Sequence, residues 1–411
     1  MSLLPIFWEW AEFALRWLHV ITAISWIGSS FYFIALDLGL HRDRKLDTGA
    51  DGEEWQVHGG GFYNIQKYLV APSRMPEDLI WFKWESYATW LSGFALMAVV
   101  YYLGAELYLI DPNVLEMSPA VAVVVSIVSL SIGWILYDLL CKSKFGDDNT
   151  RLMILLYIIL VAMAWGYTQV FSGRAAFLHL GAFTATVMSA NVFFIIIPNQ
   201  KIVVADLKAG RTPDPKYGKI AKQRSTHNNY LTLPVLFMML SNHYPLAFAS
   251  KYNWIIAALI FLMGVTIRHF FNTMHARKGL LWWTWGATVA LFLAVMWLST
   301  AGIYMQDDSE EEAALGPMAQ KFAAAEGFED VHDIVVTNCS MCHAKEPYWE
   351  GMASPPKGIR LETTQEVATL AKEIWLQAGV THAMPPAGSY MYLDDESRTA
   401  IRKWYESGLE G

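Results

Sequence analysis

Three cysteines in 411 residues cannot staple a chain of this length, which excludes a disulfide-built scaffold. Charge is scarce too: Asp, Glu, Lys and Arg make up 17% of the residues, against about 25% in a soluble domain. Apolar side chains take their place. Hydrophobic residues reach 54%, which excludes a disordered chain and marks a protein that is membrane-embedded in whole or in part. Basic residues are short in one region only. Residues 306–411 hold 8 Lys/Arg against 19 Asp/Glu, a net of −11, whereas residues 1–305 hold 22 against 19, a net of +3. No basic face could follow a phosphate backbone and the acidic block would repel one, so no nucleic-acid partner is expected.

Eight apolar stretches are long enough to cross about 30 Å of hydrocarbon at about 1.5 Å per helical residue. They cover residues 11–36, 84–103, 119–141, 151–171, 174–198, 230–249, 253–274 and 280–304. The loops between them alternate in charge. Those after the first, third, fifth and seventh stretches carry 18 basic residues, from Arg42 and Arg74 to Arg277 and Lys278, while the others carry only Arg174 and Lys251. The positive-inside rule then puts the N-terminus and the acidic C-terminal block outside the cytoplasm. No basic leader precedes the first apolar run, which carries Glu9 at its approach, so insertion without cleavage is expected. Trp81, Trp84, Trp282, Trp283 and Trp285 fall at span ends, as interfacial anchors do.

One motif carries a covalent meaning. Cys339-Ser340-Met341-Cys342-His343 is a C-x-x-C-H sequence. Its two thiols can add to the vinyl groups of one haem, and the histidine that follows can bind the iron. The spacing alone would also suit a redox or zinc pair. Context favours haem c: the motif sits in a separate acidic block the size of a small cytochrome c, on the face where thiols need a purpose. Downstream, Ala383-Met384-Pro385-Pro386 offers Met384 as the sixth ligand, with Met352 and His382 as rivals. Asp394-Asp395-Glu396 opens a closing helix on which Ile401 and Trp404 are expected to be core. The expected fold class is therefore all-α: a polytopic membrane bundle of eight transmembrane helices over 1–305, an acidic tether over 306–317, and a small class I-like cytochrome c domain over 318–411.

Ionisable groups inside spans are costly and mark function by default. Arg16 and His19 lie on the first helix, Arg174 and His179 on the fifth, and His243 near the outer end of the sixth. The three histidines sit at a similar depth, roughly 9–12 Å below the outer surface. Together they could grip a haem b or a metal, or line a substrate pocket. Taken singly, each is also explained as a hydrogen-bonded structural residue. An inner group, Arg268, Asn272 and His275 with His269 beside it, follows one helical face, and Asp138 could pair with a cation there. His58 and His227 fall in cytoplasmic loops on this reading, and Cys141 is inert packing.

The runs Arg16-Trp17-Leu18-His19-Val20, Ser25-Trp26-Ile27-Gly28-Ser29-Ser30-Phe31-Tyr32 and His58-Gly59-Gly60-Gly61-Phe62-Tyr63, joined to the C-x-x-C-H block, resemble a known family. It is that of the bacterial membrane-bound urate oxidases, or urate hydroxylases, fused to a cytochrome c, and the resemblance spans essentially the whole chain. The first-helix His and Trp-Ile-Gly are also similar to small membrane redox families with haem b. The resemblance implies oxidation of urate to 5-hydroxyisourate in purine degradation. Electrons would leave through haem c to the respiratory chain, by a soluble cytochrome c or a terminal oxidase, without hydrogen peroxide. It implies a bacterial inner (cytoplasmic) membrane location with the cytochrome c domain in the periplasm. Such chemistry asks for an arginine to hold the urate anion and a histidine to move protons, which makes Arg16, His19, Arg174, His179 and His243 the first candidates and the inner group the second. Two rivals stand beside it: an electron-transfer subunit linking quinol or a partner protein to an oxidase, with no substrate chemistry, and an enzyme of haem or quinone metabolism on the same scaffold.

The acidic C-terminal block suits a basic electron acceptor. Its transfer rate to a basic soluble cytochrome, followed by stopped flow, should fall as ionic strength rises from about 0.01 to 0.15 M; a flat or rising rate would count against this pairing.

Overall fold

A computed structural model describes residues 4–68, 76–305, 315–350, 352, 355–386, 389 and 391–410. The chain opens with α1 (Leu4–Gly39) and crosses a two-stranded antiparallel hairpin, β1 (Ala50–His58) and β2 (Gly61–Tyr68). Then come α2 (Trp84–Met97), α3 (Pro119–Lys142), α4 (Asn149–Thr168) and α5 (Gly173–Ala190). They are followed by α6 (Ile197–Lys208), α7 (Pro215–Ser241), the one-turn α8 (Pro245–Phe248), α9 (Asn253–His275) and α10 (Trp283–Met305). The C-terminal part holds α11 (Pro317–Ala324), α12 (Phe328–His343), α13 (Thr364–Thr369), α14 (Ala371–Ile374) and α15 (Asp395–Glu410).

Helix starts follow local chemistry. Ser118, Asp148, Ser172 and Asp214 each accept a backbone N–H from the first turn of α3, α4, α5 and α7, satisfying a donor that a helix leaves orphaned. In α3 and α7 a proline stands at the first helical position, where no N–H is needed.

The structure is mostly helical, as expected, but not wholly so. The all-α expectation is corrected after α1, where the loop that carries His58 forms the hairpin. Gly59 and Gly60, at φ 58° and 81°, make its two-residue turn, a conformation in which side-chain-bearing residues are strained.

Among the described residues, six helical stretches are long and apolar enough to cross a membrane: Ile6–Gly39, Pro119–Lys142, Asn149–Thr168, Gly173–Lys208, Asn253–His275 and Trp283–Thr300. They coincide with the first, third, fourth, fifth, seventh and eighth expected spans. The stretches expected as the second and sixth spans are helical, as α2 and α7, but α2 is only 14 residues long and α7 is more polar. α2 continues through a π turn, Ala98–Tyr102, and α7 begins at Pro215, well before the expected residue 230. The stretch from Gly173 runs through α5, a π turn at Asn191–Ile196 and α6. Arg74 and the tether as far as residue 314 lie outside the described residues.

α5 and α7 form the centre of the bundle. α3 and α4 pack on α5, α9 packs on α7 and α4, α10 covers α9, and α1 joins α2 along α7 and α9. Two hydrophobic cores result. One runs from Met97 to Val295, and the other gathers residues between Ala319 and Tyr405. Small residues set the helix spacing, since in lipid only close packing draws helices together. A Cβ on Gly264 of α9 would lie 2.5 Å from Cδ of Pro234 in α7, and that ring cannot rotate away.

Gly264→Ala should therefore force α7 and α9 apart and lower the stability of the solubilised protein by about 1–3 kcal/mol. Gly286→Ala on α10, where a Cβ meets nothing within 4 Å, should leave the thermal midpoint unchanged or slightly raised. Parallel thermal melts of the two variants check both expectations.

Candidate functional site

The most polar buried region of the bundle lies where the C-terminal end of α3, the π turn after α5, the first half of α7 and the second half of α9 meet. Arg224 is 1% exposed and donates to Asp138 Oδ1 at 2.8 Å and to Asn191 Oδ1 at 3.3 Å. Its guanidinium lies over the Tyr137 ring, 4.9 Å from the centroid. Asn191 Nδ2 donates to Tyr137 Oη and to Asn228 Oδ1, both at 3.0 Å, and Asn228 donates to the Met188 carbonyl at 2.9 Å. Tyr137 Oη is 2.8 Å from His227 Nδ1. Beside this group, Asn229 Oδ1 accepts from Asn272 at 2.8 Å and from Arg268 Nε at 3.4 Å. Arg268 also donates to Asn272 Oδ1 at 3.0 Å and stacks on Phe31 of α1, 4.0 Å from the ring centroid.

The orientation of these groups fixes what remains unused. Asn191 donates into the Tyr137 oxygen; in the tautomer in which the hydroxyl's own proton goes to His227 Nδ1, neutral His227 carries its hydrogen on Nε2. His227 Nε2, Arg224 Nε and Asn229 Nδ2 are all buried without a partner among the described residues, and in that tautomer all three are donors. Buried donors are rarely left unpaired, so each calls for an acceptor of its own surroundings: His227 faces α3 and Asn229, two residues on, faces α9. Charge points the same way. Arg224 is matched by Asp138, while Arg268 meets no carboxylate among the described residues, leaving a buried positive charge. Unpaired donors beside an unmatched cation favour an anionic ligand with acceptor oxygens over a cationic one.

This corrects the placement of two residues. His227 was read as a loop histidine in water and Arg224 as a loop charge, yet both are buried on α7. The lysines of residues 215–222 hid the helix from a reading based on apolar runs, although Arg224, His227 and Asn228 at i, i+3 and i+4 mark one face. Asp138 pairs not with a cation of the expected inner group but with Arg224 at 2.8 Å and Lys142 at 2.5 Å. Of the expected inner group, Arg268 and Asn272 join the cluster. His269 binds Tyr230 Oη at 3.2 Å, and His275 ends α9 with Nδ1 unpartnered.

The outer candidates are braced by neighbours. Arg16 donates to Glu12 at 2.5 Å along α1. His19 Nδ1 faces the Thr89 carbonyl at 3.0 Å and Ser92 Oγ at 3.2 Å, and it packs so tightly on α2 that a Cβ on Gly93 would lie 2.7 Å from its Cε1. Arg174 lies over Tyr108, 5.2 Å from the centroid. His179 is wholly buried, with Nδ1 on the Ala175 carbonyl and Nε2 on Ser126 Oγ, both at 2.7 Å. Its two nitrogens are occupied, so this arrangement does not fit an iron ligand there. His243 lies exposed in the turn after α7. No cluster of three His, Cys, Asp or Glu suited to a metal occurs among the described residues.

In the C-terminal part, Cys339, Cys342 and His343 occupy the end of α12 and the two thiols are free. Burial pushes the Cys339 thiol up to about 11, helped by Cys342 beside it. His343 Nδ1 meets the Ile359 carbonyl at 2.9 Å, which leaves Nε2 for a metal. Cys339, Ile359 and Met384 pack on one core, and Trp375 Nε1 is a buried donor without a partner among the described residues. Arg398, unremarked in the sequence, is 5% exposed and donates to the carbonyls of Ala378, Thr381 and Met384, tying down the methionine loop. His382 is exposed, whereas Met384 is half-buried against the core. Ile401 and Trp404 are core as expected, each 1% exposed. Asp394 caps α15, and donation from Ser397 holds its carboxyl below the usual value. These residues fit a covalently held haem with His343 and Met384 as ligands.

No curated protein and no solved structure matches the chain. The family described as urate oxidase N-terminal matches residues 5–299, a stretch that contains α1 to α9 and every residue of the buried donor cluster. By that match the chain belongs to the urate oxidase N-terminal family.

Proposed function

We propose that the chain is a membrane-bound oxidoreductase that converts urate to 5-hydroxyisourate and passes the electrons to a haem c in its C-terminal domain. The observation that carries the reading is the set of unpartnered buried donors on α7, His227, Arg224 and Asn229, inside the segment that matches the family. Urate is a planar anion bordered by carbonyl oxygens, the complement of such a set. The reaction balances as the urate monoanion plus water giving the 5-hydroxyisourate monoanion, two protons and two electrons.

On this reading Arg268 supplies the charge that holds the anion, with Phe31 limiting its movement. Arg224, fixed by Asp138, and His227, fixed by Tyr137, donate to the carbonyl oxygens, where negative charge grows as a ring N–H proton leaves. The π turn at Asn191 lets one side chain orient both Tyr137 and Asn228. Cys339 and Cys342 would anchor the haem, and His343 and Met384 would ligate its iron. Held there, a haem c would supply one-electron transfer at a raised potential. A haem b gripped by His19, His179 and His243 does not enter the scheme, because the bonds of His179 do not fit it. The proposed setting is an inner membrane crossed eight times, with the C-terminal domain in the periplasm facing a basic soluble cytochrome or a terminal oxidase. A subunit that only relays electrons would have no use for a buried anion site.

Adding urate anaerobically to the oxidised, solubilised protein should reduce the haem, seen in its visible bands. A spectrum that stays oxidised while dithionite still reduces it would overturn the proposal. His227→Gln and Asn229→Ala should each cut kcat/KM for urate about 10- to 100-fold, the value of a hydrogen bond to a charged group. His19→Ala and His179→Ala should cost less in folded protein, and the reverse order would move the site to the outer end.

A further inference from the structure

A second polar cavity lies apart from the donor cluster. Between α1, the hairpin and the C-terminal end of α9 is a cleft of about 340 Å³, whose polar lining comes from Tyr32, Glu54, Gln56, His275 and Arg277. Two of its buried atoms, Glu54 Oε2 and His275 Nδ1, have no hydrogen-bond partner among the described residues. The nearest cation to that carboxylate, Arg277, stands off at 3.7 Å and donates instead to His41 at 2.6 Å. Tyr32 donates to Gln56 Oε1 at 2.7 Å, so the Gln56 amide keeps its N–H groups for another partner. At the base is Gly39, where even a Cβ would come within 3.4 Å of Glu54 Oε2.

The face of α9 that lines the cleft continues inward. His275, Asn272 and Arg268 stand at i, i−3 and i−7 on α9, and Asn272 donates to Asn229 in the donor cluster at 2.8 Å. The cleft opens at the end of the bundle whose loops hold the excess of Lys and Arg, the cytoplasmic end by the positive-inside rule.

We propose that this cleft is the vestibule through which substrate reaches the donor cluster from the cytoplasm. Its ligand is a small planar anion that offers ring N–H groups to Glu54 and His275 and carbonyl oxygens to Gln56 and Arg277, as the urate monoanion does. The assignment rests on the urate reading and adds to it the face of access and the residues met first. Glu54 is a positioning residue: it orients the incoming ring and takes no part in the oxidation.

The test uses full-length protein carrying its haem, in inverted membrane vesicles. In a Cys141→Ser background, Gly39→Cys should be labelled by a membrane-impermeant maleimide, and urate should slow that labelling at least several-fold. In solubilised protein Glu54→Gln should raise KM for urate about tenfold, with kcat within about twofold. If urate reduces the haem but neither protects position 39 nor has its KM changed by Glu54→Gln, the vestibule is wrong and the urate reading stands. If urate protects position 39 yet never reduces the haem, the vestibule stands and the oxidation is wrong. Failure of both protection and reduction overturns both. Should Gly39→Cys not fold, Glu54→Gln decides alone: an unchanged KM overturns the vestibule.

Discussion

A charged group in an apolar bundle must be matched, and the pair of Arg224 with Asp138 is where this chain meets that demand. Removing Asp138 would strand Arg224 at a cost of about 3–5 kcal/mol, whereas Asp138 also has Lys142 at 2.5 Å. The pair locks α7 to α3, and from it the surrounding order follows. Arg224 reaches Asn191 and lies on Tyr137, Asn191 turns Tyr137 toward His227, and Tyr137 holds His227 by Nδ1. One ion pair thus fixes donors on two neighbouring turns of a helix. Such a network specifies a geometry more than it stabilises a fold, because every member loses water on burial and recovers it only through the next.

The two halves of the chain solve different problems. The bundle holds polar groups away from water, and its helices approach closely wherever glycine permits. The C-terminal part is a small soluble-type core in which Arg398 ties loop carbonyls together and Trp404 donates to the Phe322 carbonyl at 2.9 Å. They touch through charges: Lys372 of α14 meets Glu9 of α1 at 2.6 Å, and Glu373 accepts from Tyr108 at 3.0 Å. Those contacts set the end of the bundle that carries Arg16 and Arg174 against the domain that carries Met384. Of the outer residues, Arg174 and, through Glu12, Arg16 stand at a joint between the two.

What the sequence made legible was what periodicity and length encode. Long apolar runs located six helices to within a few residues at most ends, and C-x-x-C-H located the end of α12. What escaped was polar. The first half of α7 reads as a charged loop because its lysines point outward while Arg224, His227 and Asn228 share the inward face, and hydropathy averages the two together. The hairpin escaped although Gly59-Gly60 is a recognised two-residue turn, because glycines beside a histidine drew attention as a motif rather than as punctuation. Histidines were ranked by depth, a single coordinate. What separates His179 from His227 is whether a ring nitrogen is left over, and that depends on Ser126 and Tyr137, residues far away in the chain.

The contact between His19 and Gly93 carries a consequence for descent. The imidazole is held on α2 by Thr89 and Ser92, and a Cβ at position 93 would fall within 2.7 Å of it. No side chain can be gained at 93 while the histidine keeps those partners. Through divergence the two positions must therefore change as a pair. A lineage that loses the glycine records, in that one letter, that its first-helix histidine has been released from the second helix.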